Sequence, residues 1–209
     1  GKLSVKVVYT LGEDDSVKIN YSATTDKTTI INLTNHAYFN LNNKVSNNIL
    51  NHYLHINADR IVACNEALIP TGHIISIKDT PLDFTHAQTI GSRITDSFPH
   101  HLFQGKGYVV SYVLNEPAQT LSLAATVVAK ESGRVMQVYT DQPGLQFYSG
   151  WLFDGSDTGK NRQRYTNSSG LALEAQGFPD APNHPAFPSI VLQPDEVYRQ
   201  TSVYRFLIE

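Results

Sequence analysis

The stretch Lys2-Leu3-Ser4-Val5-Lys6-Val7-Val8-Tyr9, followed by Gly12-Glu13-Asp14-Asp15-Ser16 and then Val17-Lys18-Ile19-Asn20-Tyr21, decides the fold class. Leu3, Val5, Val7 and Tyr9 alternate with Lys2, Ser4 and Lys6, and Val17, Ile19 and Tyr21 alternate with Lys18 and Asn20. Successive side chains of a strand point to opposite faces, so each run reads as a strand with one buried face. The polar linker between them predicts a hairpin.

The same period continues down the chain. Leu121, Leu123, Ala125 and Val127 alternate with Thr120, Ser122 and Thr126. Further strands are expected near 28–34, 52–57, 107–114, 135–140 and 201–208. Apolar spacing at three and four is not sustained over a long window, so one or two helical turns are expected at most, for instance near 84–90. Long loops rich in Asn, Gly and Pro fall at 154–169 and 176–189, and such loops on a β frame often build sites. No composition break or internal repeat divides the chain. The expectation is one continuous β domain over 1–209, built as sheet on sheet or barrel.

Composition narrows the function. The chain has 209 residues, one Cys and a formal net charge of −3. A single Cys excludes a disulfide scaffold and any multi-cysteine metal site. No segment approaches the roughly 20 apolar residues of a membrane helix, and the first residues do not read as a signal peptide. Slight acidity without a Lys/Arg cluster argues against a nucleic-acid partner. The chain begins at Gly1 and enters directly into a strand, which leads us to expect a longer precursor or gene product.

Two segments can carry chemistry. In Asn32-Leu33-Thr34-Asn35-His36-Ala37-Tyr38-Phe39-Asn40-Leu41 a strand runs into Asn35 and His36. Hydrogen bonds from neighbours can orient such a His, and its ordinary pKa suits acid or base work near neutrality. The plainer reading is a structural His held by a backbone carbonyl. In Leu171-Ala172-Leu173-Glu174-Ala175-Gln176-Gly177-Phe178-Pro179-Asp180-Ala181-Pro182-Asn183 an apolar strand delivers Glu174 to its end. Partial desolvation between Leu173 and Ala175 would raise its pKa toward that of a useful base. The plainer reading is a solvent-facing Glu, with Asp180 starting a turn.

Other signals are weaker. His52 and His55 lie on opposite faces of a strand, which argues against a metal. His100 and His101 follow Pro99 in a loop and read as solvated. The sequons at Asn32-Leu33-Thr34 and Asn167-Ser168-Ser169 read as chance matches. Cys64 reads as a small core residue. Gly105-Lys106-Gly107 is too short for a phosphate loop. Arg162 and Arg164 could bind an anion or simply be solvated.

Taken together, NLTNHAYFNL at 32–41, IPTG at 69–72, TPLDF at 80–84, QPGLQFYSG at 142–150 and LEAQ followed by FPDAPN within 173–183 resemble the galactose mutarotase (aldose 1-epimerase) family. Phe187-Pro188-Ser189 and LQPDEVY at 192–198 resemble its closing segment. Order and rough spacing agree across the chain. The resemblance implies a large antiparallel β-sandwich, lacking the family's N-terminal strands, that interconverts the α and β anomers of an aldohexose such as galactose or glucose. It assigns the general acid to His36, the general base to Glu174 and sugar contact to Gln146. Asn35 and Tyr38 are expected beside the substrate, and Tyr38, Phe147 and Trp151 can offer an aromatic face or pack in the core. No cofactor or metal is expected. The expected partner is the monosaccharide substrate, without nucleic acid or membrane, and the expected setting is cytoplasmic.

Two departures stand out. Roughly the first third of the family's fold has no counterpart here, and with it an Asn/His/Gly-rich motif and an Arg that hold the substrate. Loss of those strands would expose sheet edges and apolar faces. The family's G-[YF]-D-H-x-[YF] reads Gly107-Tyr108-Val109-Val110-Ser111-Tyr112, so Val109 stands where an Asp would bind sugar hydroxyls. The alternatives are a non-catalytic sugar-binding or regulatory relative, or a hexose-6-phosphate 1-epimerase. The latter would need a basic pocket started by Arg162 and Arg164.

Overall fold

The computed structural model describes residues 1–42, 48–94, 107–116, 118–159 and 162–209. Its strands are β1 (Leu3–Leu11), β2 (Ser16–Thr25), β3 (Thr29–Ile30), β4 (Tyr53–Ile56), β5 (Arg60–Cys64), β6 (Pro70–Ser76), β7 (Gln88–Thr89), β8 (Val109–Val113), β9 (Ser122–Ala129), β10 (Arg134–Thr140), β11 (Gly144–Tyr148), β12 (Ala172–Gln176), β13 (Val191–Leu192) and β14 (Tyr198–Ile208). They form a seven-stranded sheet in the order β1-β2-β14-β10-β9-β4-β7 and a five-stranded sheet in the order β12-β11-β8-β5-β6, with β13 and β3 as a small pair. Every pairing is antiparallel. His100 and His101 lie outside the described residues.

The alternation read from the sequence is what packs the sheets. In the seven-stranded sheet Ile19, Tyr21, Leu54, Ile56, Ala125, Val127, Met136 and Val138 turn inward. In the five-stranded sheet Ile61, Val110, Tyr112, Leu145, Phe147, Leu173 and Ala175 meet them in one buried cluster. The result is a β-sandwich, as expected of two half-apolar sheets. Two paired polar groups cross the layer: Tyr204 Oη donates to the Leu173 carbonyl at 3.0 Å, and Gln200 Nε2 donates to that of Ala175 at 2.9 Å. These bonds seat β12 over β14.

The five-stranded sheet ends there, and β1 overhangs it. The β1–β2 hairpin forms with the register expected of its alternation, but all nine β1 residues are exposed. The core-side row Leu3, Val5, Val7 and Tyr9 is 40–61% exposed, although its partners on β2, Thr25, Ala23, Tyr21 and Ile19, are buried. An uncovered apolar row on an edge strand is an association hazard.

Two local expectations are corrected. The turn expected over 84–90 is a short edge strand, β7, followed by a 3₁₀ turn at Ile90–Arg93, because β4 leaves an open edge to which Gln88 and Thr89 pair. The strand expected over 28–34 keeps only Thr29 and Ile30 in a ladder. Beyond it the Asn32 side chain, not the sheet, holds the chain.

His52 and His55 do face opposite sides. His52 sits on the core side, fully buried, while His55 is half-exposed. The Leu41 amide donates to His52 Nε2 at 3.0 Å, and Nδ1 lies 3.2 Å from Asn51 Oδ1, so the neutral Nδ1–H tautomer fits both partners. Burial lowers its pKa to about 4. The unfolded chain binds this proton below about pH 6.5 while the native state stays neutral, so stability is lost as pH falls from about 6.5 to 4. The loss should reach roughly 3 kcal/mol at the acid end of that window. Urea denaturation across pH 7 to 4 should show this fall, and His52→Gln should remove that part of it.

Candidate active site

Glu174 sits at the centre of β12, flanked in sequence by Leu173 and Ala175, which face the core. Strand parity therefore turns Glu174 to the outer face of the five-stranded sheet. Within the sheet it pairs with Gln146 of β11, and Gln146 pairs in turn with Ser111 of β8. One row across three strands thus reads Glu174, Gln146, Ser111. The sequence placed Glu174 at a strand end; it lies mid-strand instead, which ties its backbone down on the β11 side.

His36 reaches this row along a second path. The backbones of Phe39 and Leu171 exchange hydrogen bonds at 2.8 and 2.9 Å in an isolated antiparallel bridge. At the other end Asn32 Nδ2 donates to the Gly177 carbonyl at 3.0 Å, and the Gly177 amide donates to Asn32 Oδ1 at 2.8 Å. Segment 32–39 is thereby pinned antiparallel to 171–177. Counting three residues inward from the Phe39–Leu171 bridge places His36 opposite Glu174. Their side chains meet, with Nε2 to Oε1 at 3.4 Å. Asn32, which heads the 32–41 motif and has no role of its own in the sequence beyond a chance sequon, is one of the two pins.

The pair is electrostatically unequal. Glu174 is 7% exposed, and burial raises its carboxyl pKa while the neighbouring His36 pulls it back in part. The His36 side chain is 48% exposed. Tyr38 packs on the imidazole with ring centroids 4.9 Å apart, and Tyr148 stands edge-on at 6.4 Å. Tyr38 also meets Phe153 at 4.9 Å. An aromatic wall therefore lines one side of the His36–Glu174 pair. On its far side Tyr38, Phe153 and Tyr165 border a cavity of about 370 Å³.

The remaining candidates divide. Gln146 is half-buried on the outer face beside Glu174. Tyr38 lies at the site. Asn35 is bonded within its own neighbourhood: its Oδ1 accepts from the Ala37 amide at 3.0 Å and its Nδ2 donates to Tyr9 Oη at 3.2 Å, so it shapes the loop that carries His36. Phe147 is fully buried and stacks on Tyr108 in the core. Its neighbour Tyr148, one residue on and so on the opposite face, is the half-buried aromatic that stands by His36. Trp151 is half-buried against Gly107. Val109 pairs with Tyr148 on the outer face, where its isopropyl group offers no hydrogen bond. Cys64 is free and only half-buried at the edge of the core. Among the described residues no cluster of three or more His, Cys, Asp or Glu could hold a metal.

The chain is similar to known proteins over its whole length. A family model described as aldose 1-epimerase matches residues 1–205. Over its whole length the chain is 40% identical to the galactose mutarotase of Mus musculus, covering 58% of that protein. It is 36% identical to the aldose 1-epimerase of Escherichia coli (strain K12), covering 60% of that protein. Among solved structures it resembles an aldose epimerase homologue from C. elegans, with a TM-score of 0.86 and 28% identity over 99% of this chain and 60% of the other. It also resembles a galactose 1-epimerase from Lactobacillus acidophilus NCFM, with a TM-score of 0.78 and 25% identity over 99% of this chain and 57% of the other. The chain thus spans a little under two thirds of the length of these relatives, and it belongs to the aldose 1-epimerase family.

Proposed function

We propose that this chain carries the acid/base pair of an aldose 1-epimerase and interconverts the α and β anomers of an aldohexose such as galactose or glucose. The observation that supports this most is the contact between His36 and Glu174 on an outer sheet face, with Gln146 beside them. The Glu174 carboxylate removes the proton of the anomeric hydroxyl. The His36 imidazolium donates a proton to the ring oxygen as the C1–O5 bond breaks. The aldehyde rotates about C1–C2 and recloses on its other face, with the two proton transfers reversed. Positioned transfers of this kind are worth about 10²–10⁴-fold each. Two groups 3.4 Å apart must part to admit a pyranose. Glu174 is held in a ladder, whereas His36 lies on backbone outside any strand, so His36 is the group that swings. The proposed setting is the cytoplasm.

Polarimetry of fresh α-D-galactose or α-D-glucose reads the reaction directly. Glu174→Gln and His36→Asn should each lower the catalysed rate by about 10²–10⁴. An unchanged rate in either overturns the role given to that residue, and activity confined to hexose 6-phosphates overturns the substrate.

Burial raises the Glu174 pKa from its ordinary value, and the base must be ionised to act. Activity should therefore fall as pH drops through a value higher than about 4.3. His36→Asn removes the group that lowers this pKa, so the Glu174 carboxyl should titrate higher still by carbon NMR.

Val109→Asp would add an acceptor for a sugar hydroxyl beside Tyr148. Calorimetry should then show galactose binding tightened by about tenfold.

A further inference from the structure

Ser111 is a buried polar residue without a partner. It is 6% exposed, and its Oγ makes no hydrogen bond. Buried hydroxyls are almost always satisfied, so an orphan needs a reason. Its place in the fold supplies one. Ser111 is directly opposite Gln146 in the β8–β11 ladder, and Gln146 is directly opposite Glu174 in the β11–β12 ladder. Paired residues on one face have Cβ atoms about 5 Å apart, within the reach of a glutamine amide. Two residues along β8 the outer face closes, because Val113 is buried with Val62 beneath Phe178 and Phe187. The other flank of Ser111 is half-open Gln146.

We propose that Ser111 is a positioning residue for the sugar contact: when a hexose binds, the Gln146 amide turns so that one end bonds Ser111 Oγ and the other is presented to a substrate hydroxyl. This rests on the proposed aldohexose reading. A glutamine side chain has three rotatable bonds, and anchoring one end of its amide cuts the entropy lost when the other end binds. Ser111 hydroxyl can donate to the amide oxygen or accept from its nitrogen, so it serves either orientation. Val109, two residues back on the same face, leaves β8 with no other polar outer-face side chain between Val109 and Val113. The strand's polar contribution to the site therefore passes through Ser111 and Gln146.

The test is a set of variants in the full 209-residue chain: Ser111→Thr, which keeps the hydroxyl, Ser111→Val, which keeps the shape of Thr without it, Gln146→Ala, and the double variant Ser111→Val/Gln146→Ala. Galactose affinity is read by calorimetry, and KM and kcat by polarimetry. Ser111→Val should weaken binding and raise KM by about 3- to 10-fold with kcat nearly unchanged, and Ser111→Thr should restore the wild-type values. In the Gln146→Ala background Ser111→Val should add nothing further. Equal behaviour of Thr and Val, a fall in kcat without a change in KM, or losses that add in the double variant would overturn the proposal. A wild-type chain that binds galactose without turning it over overturns the acid/base reading alone, and the binding series still decides the role of Ser111. A wild-type chain that binds no aldohexose overturns both.

Discussion

The candidate site depends on one constraint: the pinning of segment 32–39 along β12. Its two ends are held by different chemistry, a backbone bridge from Phe39 to Leu171 and the side-chain amide of Asn32 on Gly177. Neither end is part of a regular sheet, yet together they fix the register that sets His36 against Glu174. Gly177 suits this clamp because a Cβ there would press within 2.8 Å of Ile190 and 3.3 Å of the Asn32 oxygen. Between the pins the backbone is free of ladder bonds, which leaves the imidazole room to move while its anchor points stay fixed.

The sandwich supplies the rest by parity. Successive residues on each strand of the five-stranded sheet alternate between the core and the outer face. Leu173, Phe147 and Tyr112 therefore lie inside, while Glu174, Tyr148 and Ser111 lie outside. Burial on this face raises the Glu174 carboxyl pKa, and the rings of Tyr38 and Tyr148 stand beside its partner His36. In the proposed roles, a base on a rigid strand opposite an acid on a looser segment is a workable division, since only one partner must yield to the substrate.

Much of this was legible in the sequence. The alternation of Leu3 to Tyr9 and Val17 to Tyr21 announced the hairpin and the all-β class, because a period of two has few other meanings. The motifs around His36 and Glu174 identified the pair through their resemblance to a family. What brought the two together was not legible, because it turns on Asn32, whose context read as a sequon, and on a single bridge between residues 132 positions apart in the chain. Phe147 and Tyr148 show a different limit: adjacent aromatics cannot both face the site, and only the register says which one does. Asn35 belonged to the right motif, but its side chain serves the loop. Ser111 carried no signal at all, since a serine in an alternating strand reads as an ordinary outward residue until its partner across the ladder is known.

The central claim is that one pyranose is held between His36 and Glu174. A crystal structure of the chain with bound galactose measures this directly. The account predicts the anomeric hydroxyl within hydrogen-bond distance of the Glu174 carboxylate, the ring oxygen facing His36 Nε2, and the present 3.4 Å contact between the two side chains opened by the sugar. A sugar bound elsewhere, with that contact intact, would contradict it.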